Sequence, residues 1–165
     1  METTVKRERI YSWDNPMLGA KKALEMSGEE YLKAMISEEL PAPPIMHTLG
    51  MKAVSFEKGE CIFSFVPREF HYNPIGCVHG GVVTTLLDSA MGATLHSTLE
   101  KGRGYTTLEL KVNFLKMITI ASPELKAVGK IIHAGGRTAL VEAKLIDEYG
   151  TVYAHGVSTC MILKF

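Results

Sequence analysis

The apolar positions change their period several times along the chain, and each change marks an element. From Pro16 to about Leu40, the residues Leu18, Leu24, Tyr31, Leu32, Met35 and Ile36 fall mostly at spacings that share one helical face. Pro16 suits a first helical turn. Gly28 divides the stretch, so the pattern predicts two shorter helices, the second capped by Ser27 or Gly28. The run Pro41-Ala42-Pro43-Pro44 then stops any helix and acts as a stiff linker. Residues 1–44 thus read as a helical extension, polar and frayed up to Asp14, and residues 45–165 as the main domain.

Strand signals follow. Met51 to Glu57 and Cys61 to Pro67 flank a Lys58-Gly59 turn and read as a hairpin. A turn-rich loop, His71 to Gly76, leads into an apolar stretch from Val78 to Leu99 that is too long for a strand. Its apolar residues cover most of the helical circumference, so this helix belongs inside something. Thr107 to Phe114 alternates, with Leu108, Leu110, Val112 and Phe114 on one face and Thr107, Glu109, Lys111 and Asn113 on the other. Glu124 to His133, Arg137 to Asp147 and Thr151 to Leu163 read as three more strands. They are joined by the turns Ala134-Gly135-Gly136 and Glu148-Tyr149-Gly150. An antiparallel sheet wrapped round one long helix, an α+β fold, satisfies this order. The far face of that helix still needs cover, which predicts a second copy of the chain.

The bulk numbers narrow the function. The 165 residues suit one domain of ordinary size, and 46% hydrophobic with 22% charged residues is a soluble globular composition. Basic and acidic residues balance at 18 each, which argues against a nucleic-acid partner. Cys61, Cys77 and Cys160 are odd in number and widely spaced. They indicate neither a disulfide framework nor a zinc site, but a reducing compartment. Met1 to Tyr11 has no apolar core and is not a signal peptide; no apolar run is long enough to span a bilayer. The expectation is a soluble, cytoplasmic protein without membrane contact.

The chemistry concentrates in His71-Tyr72-Asn73-Pro74-Ile75-Gly76-Cys77-Val78-His79-Gly80-Gly81-Val82-Val83-Thr84-Thr85-Leu86-Leu87-Asp88. This segment resembles the signature of hotdog-fold acyl-CoA thioesterases of the phenylacetate-degradation, or PaaI-like, branch. Asn73, Gly76, His79, Gly80, Gly81 and Asp88 match it in type and spacing. The resemblance runs from about His47 to Ile162 and implies a hotdog fold, acyl-CoA as substrate and a homodimer or dimer of dimers. It leaves the extension outside.

The residues support the same chemistry on physical grounds. Gly80 and Gly81 open a helix whose first N–H groups lack internal partners, so they can hold a carbonyl oxygen that gains charge. Glycine there admits a ligand close to the backbone. Asp88 is the candidate base or nucleophile. Yet nine residues at roughly 100° each turn Asp88 about 180° from His79, and roughly 1.5 Å per residue separates them by about 13.5 Å. Two antiparallel helices from two protomers would bring Asp88 of one chain opposite Asn73, His79 and Gly80 of the other. On this reading Gly80 polarises the carbonyl, His79 supports the loop, and Asn73 positions the carbonyl or water. Thr107 stands where the family has a serine or threonine that holds the water. Gly135, Gly136 and Arg137 form a turn where relatives contact the CoA tail, Arg137 as a phosphate partner. No cofactor and no metal is implied.

Plainer readings compete. Asp88 can be a paired structural acid, His79 a helix-start residue, and Asn73 a turn former before Pro74. Cys77, two residues from His79, reads as a small packed thiol rather than a nucleophile. His96 and Glu100 lie too far from Asp88 to share a metal with it. Glu109, read as sharing a strand face with Thr107, is the reserve acid. The alternative functions are a hotdog hydratase or dehydratase and a silent acyl-CoA-binding module.

Overall fold

The computed structural model describes residues 5–165, and Met1 to Thr4, the start of the polar leading segment, lie outside the described residues. Two helices come first, each with a sequence-encoded start. Asn15 caps α1 (Pro16–Glu25), its Oδ1 accepting the Met17 N–H at 3.0 Å with Pro16 in the first turn. Ser27 caps α2 (Gly28–Ile36) through a reciprocal capping box with Glu30. The break therefore falls where Gly28 predicts it, with Ser27 as the cap.

The proline run does more than end a helix. Pro43 and Pro44 start a short helix, α3 (Pro44–Leu49), closed by Gly50 in the left-handed conformation. Linker alone was the expectation from sequence. A proline fixed near helical φ, with no N–H to leave unpaired, begins a helix as readily as it ends one.

The rest is β1 (Met51–Glu57), β2 (Glu60–Phe65), the long helix α4 (Gly80–His96), then β3 (Arg103–Phe114), β4 (Leu125–Ala134), β5 (Thr138–Ile146) and β6 (Val152–Lys164). The six strands form one sheet in the order β1-β2-β4-β5-β6-β3, and every pairing is antiparallel. This is the hotdog architecture, with the sheet curved round α4. Four irregularities help it bend, each leaving one residue unpaired: Val54 in β1, Leu108 in β3, Ile132 in β4 and Tyr153 in β6. The first three are exposed aliphatics, and alternation alone groups Leu108 with Leu110 and Val112, which pack on the core.

The β3 bulge corrects the reading of that strand. Thr107 pairs with Cys160 and Glu109 with Thr159, so consecutive residues of β6 face residues two apart on β3. Cys160 is fully buried, and Thr107 shares its helix-facing side with Leu110 and Val112. Glu109 points to the other face. The reserve acid therefore does not accompany Thr107, because the strict alternation that joined them breaks at Leu108.

Helix α4 divides into two halves. From Ala90 to His96 every residue is buried. The sheet covers one side, and α2 covers part of the other, where the Gly28 N–H donates to the Leu99 carbonyl at 2.9 Å. Sequence reasoning gave all of that cover to a second copy, whereas the chain's own extension supplies it for this half. The N-terminal half, from Gly80 to Ser89, stays partly open.

Candidate functional site

The loop ahead of α4 is fixed by polar side chains acting on backbone. Asn73 Oδ1 accepts the N–H groups of Ile75 (3.0 Å) and Cys77 (3.2 Å), and its Nδ2 donates to Cys77 Sγ at 3.2 Å. Gly76 follows at φ +81°, a conformation that favours glycine. Asn73 thus shapes the loop first of all, and Cys77 serves it as an acceptor. His71 locks the loop from below. Its Nδ1 accepts the Arg68 N–H at 2.9 Å, which makes Nε2 the protonated nitrogen that donates to the Leu49 carbonyl at 2.9 Å. The His71 carbonyl accepts the His79 N–H at 2.8 Å. Burial pushes the His71 pKa down, only partly opposed by the Leu49 carbonyl, so the neutral ring is favoured.

His79 caps α4: its Nδ1 accepts the Gly81 N–H at 2.8 Å, and its carbonyl accepts from Val82 at 3.0 Å. That leaves Gly80 at the mouth of the helix with its N–H uncommitted among the described residues. A Cβ on Gly80 would meet the Phe114 ring at 3.1 Å, so glycine also keeps this approach open. Asn73, Gly80 and Phe114 line one cavity of about 370 Å³ with Val83 and Tyr153. A donor at the positive end of a 17-residue helix, facing a cavity, can hold an oxygen that becomes anionic.

Asp88 lies two turns further on. Its Oδ1 accepts the Thr107 hydroxyl at 3.0 Å, while Oδ2 carries no hydrogen bond from the described residues. The Leu108 bulge makes this contact possible by keeping Thr107 on the helix side. Tyr105, earlier on the same strand, lays its ring over Gly92, one turn beyond Asp88; a Cβ at Gly92 would come within 2.1 Å of the hydroxyl. Burial, reinforced by the Asp88 charge, pushes the Tyr105 pKa up, so the phenol stays protonated.

The predicted residues therefore fall into three places. Asn73, His79, Gly80 and Gly81 meet at the start of α4, and Asp88 meets Thr107 at its middle. Gly135, Gly136 and Arg137 form the exposed β4–β5 turn; Gly135 borders a separate cavity with Leu99 and Glu100 just past the end of α4. At about 1.5 Å per residue, Gly80 and Asp88 stand about 12 Å apart along the axis, so one chain does not bring them together. His71, Tyr105 and His96 carry structure that sequence reasoning missed. Only the fold shows that His71 sits under the loop and that the other two flank one cavity.

Comparison with known proteins bears on this arrangement. The family model of the thioesterase superfamily matches residues 75–154. The 1,4-dihydroxy-2-naphthoyl-CoA hydrolase of Listeria monocytogenes serotype 1/2a (strain 10403S) is 30% identical over 107 residues, covering 63% of this chain and 83% of that protein. A phenylacetic acid degradation-related protein from Ralstonia eutropha JMP134 superposes with a TM-score of 0.70 at 28% identity, covering 79% of this chain and 98% of the other. The protein smu.793 from Streptococcus mutans UA159, solved bound to acetyl CoA, gives a TM-score of 0.63 at 28% identity and covers 69% and 89%. Among the described residues, no helix is long and apolar enough to cross a membrane.

Proposed function

The chain belongs to the thioesterase superfamily, and we propose that it hydrolyses acyl-CoA thioesters at a site assembled from two copies of itself. The observation that carries the reading is one helix holding two half-sites: an uncommitted Gly80 N–H at its start and an Asp88 carboxylate, steadied by Thr107, at its middle. Antiparallel α4 helices would place each donor opposite the partner's acid. Water attacks the thioester carbonyl as Asp88 removes its proton, and Gly80 holds the oxyanion. Collapse expels the CoA thiolate, which takes up the proton and leaves the free acid. In the second form of the step, Asp88 Oδ2 attacks the carbonyl, the C–S bond breaks to expel the CoA thiolate, and water then opens the anhydride to give the free acid, a proton for the thiolate and the Asp88 carboxylate. Arg137, on its exposed turn, is the proposed partner of the CoA phosphates. The name of the Listeria relative and the acetyl CoA bound by the streptococcal neighbour support a CoA ester, the former an aryl one.

The test is a panel of aryl and medium-chain acyl-CoAs with free thiol followed over time. Thiol release that vanishes in Asp88→Asn while the oligomer persists supports the hydrolase. Tight binding without release would replace it with a silent acyl-CoA module. A single turnover in ¹⁸O-water tests the nucleophile form, since label in the Asp88 carboxylate arises only when water opens an anhydride at the Asp88 carbonyl.

A further inference from the structure

One face of α1 has no partner within the chain. Gly19 turns toward α2, where an added Cβ would stand 3.1 Å from the Tyr31 hydroxyl. Met17, Ala20 and Leu24, within about 60° of one another at roughly 100° per residue, form an apolar stripe on a different face. All three are exposed, Met17 by 57%. The helix runs back along α2: Asp14, just before it, shares a cavity with Met35 and Ile36 at the far end of α2. At its other end, Leu24 shares a cavity wall with Arg103 and Gly104 at the start of β3. Since α2 packs on β1 and α1 on β3, the pair bridges α4 from one edge of the sheet to the other.

β3 is an edge strand with one side unpaired, and both half-sites lie against it. Asp88 meets Thr107 at 3.0 Å, and the Phe114 ring closes on Gly80. A second copy that sets its Gly80 opposite Asp88 therefore brings its Phe114 level with Thr107, and the two β3 edges run antiparallel. Leaving out the unpaired Leu108, Lys111 falls on the two-fold axis, opposite itself. Outward from Thr107, Gly104 comes level with the partner's Met117. Met117 is 68% exposed and lines the same cavity as Gly80, with Leu115 beside it. Ile75, 82% exposed, tips the loop between Asn73 and Cys77 that forms the other wall.

We propose that α1 of each chain closes over the partner's Gly80 cavity, its Met17–Ala20–Leu24 stripe seated on the partner's Ile75, Leu115 and Met117. The placement rests on the shared-site reading and adds a third part to it: the chain that contributes Asp88 also contributes the cover. Both apolar sets are exposed in a single chain and lie at the same height along the seam. Seating one on the other takes from water two patches that the chain itself leaves open. It also shields the Gly80 N–H, and an oxyanion held there gains from the exclusion of water. Helix α1 precedes residue 75, outside the stretch the superfamily model matches, so the cover belongs to this chain's own extension.

The experiment has a structural arm and a kinetic arm. Leu24→Cys and Met117→Cys are placed together in one chain, with Cys77→Ser so that only the buried Cys61 and Cys160 remain of the native thiols. Within a chain the two positions sit by opposite ends of α4, roughly 24 Å apart along its axis, so a short bismaleimide can join them only between chains. A covalent dimer should form from the double variant and from neither single one. Lys111→Cys should link to its own copy and reports the pairing of the β3 edges without α1. A Lys111 link without the Leu24–Met117 link overturns the cover and leaves the shared site standing; loss of both links overturns both. In the kinetic arm, Met17→Asp with Leu24→Gln should raise KM for octanoyl-CoA roughly fivefold at unchanged kcat, because an apolar wall serves ground state and transition state alike. Leu18→Asp, a similarly exposed position on another face of α1, should match wild type. An unchanged KM in the folded stripe variant makes α1 a dimer contact only and overturns the cover. If wild type releases no thiol, the hydrolase reading fails by itself, and calorimetric affinity for octanoyl-CoA replaces KM. A roughly fivefold loss confined to the stripe variant then upholds the cover, and equal affinities overturn it.

Discussion

Gly28→Ala sets two physical rules against each other and has a definite sign. By intrinsic propensity, alanine should strengthen α2 by up to about 1 kcal/mol. The packing predicts the reverse. A Cβ on Gly28 would fall 1.6 Å from the His96 carbonyl oxygen and 2.5 Å from its carbon, both backbone atoms at the end of α4. Non-bonded heavy atoms settle near 3.5 Å, so α2 must retreat by about 2 Å. The retreat breaks the Gly28 N–H bond to Leu99, worth about 1 kcal/mol, at a buried position. It also uncovers part of Leu32, now 2% exposed, and of the Tyr31 ring against His96. Full burial of such side chains contributes about 1.5–3 kcal/mol each, so partial loss from two adds about 2–3 kcal/mol. Net of propensity, the variant should lose about 2–4 kcal/mol, or about 5–15 °C in melting temperature for a chain of this size. Circular dichroism melts of wild type and Gly28→Ala measure this. Gly136→Ala, where an added Cβ meets nothing within 4 Å, serves as the neutral control. A variant as stable as wild type would refute the docking of α2 on α4.

Three further outcomes follow from the same geometry. Thr107→Val removes the hydroxyl that holds Asp88; a bond to a charged group is worth about 1.5–3 kcal/mol, so kcat/KM should fall about 10–100-fold, with Thr107→Ser close to wild type, and equal rates for valine and threonine would exclude the pairing from catalysis. Mixing inactive Asp88→Asn with inactive Gly80→Val under subunit exchange should restore about a quarter of wild-type activity, because half the dimers are mixed and each holds one intact site; no recovery despite proven exchange would exclude a shared site. Stability should be full above about pH 6.5 and fall as the pH drops below it, since His71 and His96 resist protonation when folded while the unfolded chain takes up those protons. Urea unfolding at pH 7.5, 6.0 and 5.0 reads this directly, and a His71→Gln, His96→Phe double variant that kept the full pH slope would contradict it.

Much of this was legible in the sequence because periodicity and capping are local. The six strands, the long apolar helix, the Gly28 break and the Asn73–Asp88 motif all rest on residues a few positions apart. What escaped depends on distant neighbours. Leu108 looks like core until β6 shows that it is the unpaired residue of a bulge. His71 looks like a loop histidine until Leu49 and Arg68 arrive on opposite edges of its ring. His96 was weighed with Glu100 for a metal because they are one helical turn apart. Its actual surroundings, Tyr31 and Tyr105, come from elements 65 residues upstream and 9 downstream.

The extra residue at Leu108 also affects how this strand is lined up with others. Thr107 and Asp88 meet through space, and the bulge absorbs one position between the part of β3 that faces the acid and the part that packs on the core. A strand lacking that position could hold both sets of contacts with the same faces, since the residue left out serves neither. Counting along the chain from one functional residue to the next is therefore unreliable by one here. Pairing with Cys160 and Thr159 is the measure that survives an insertion or a deletion.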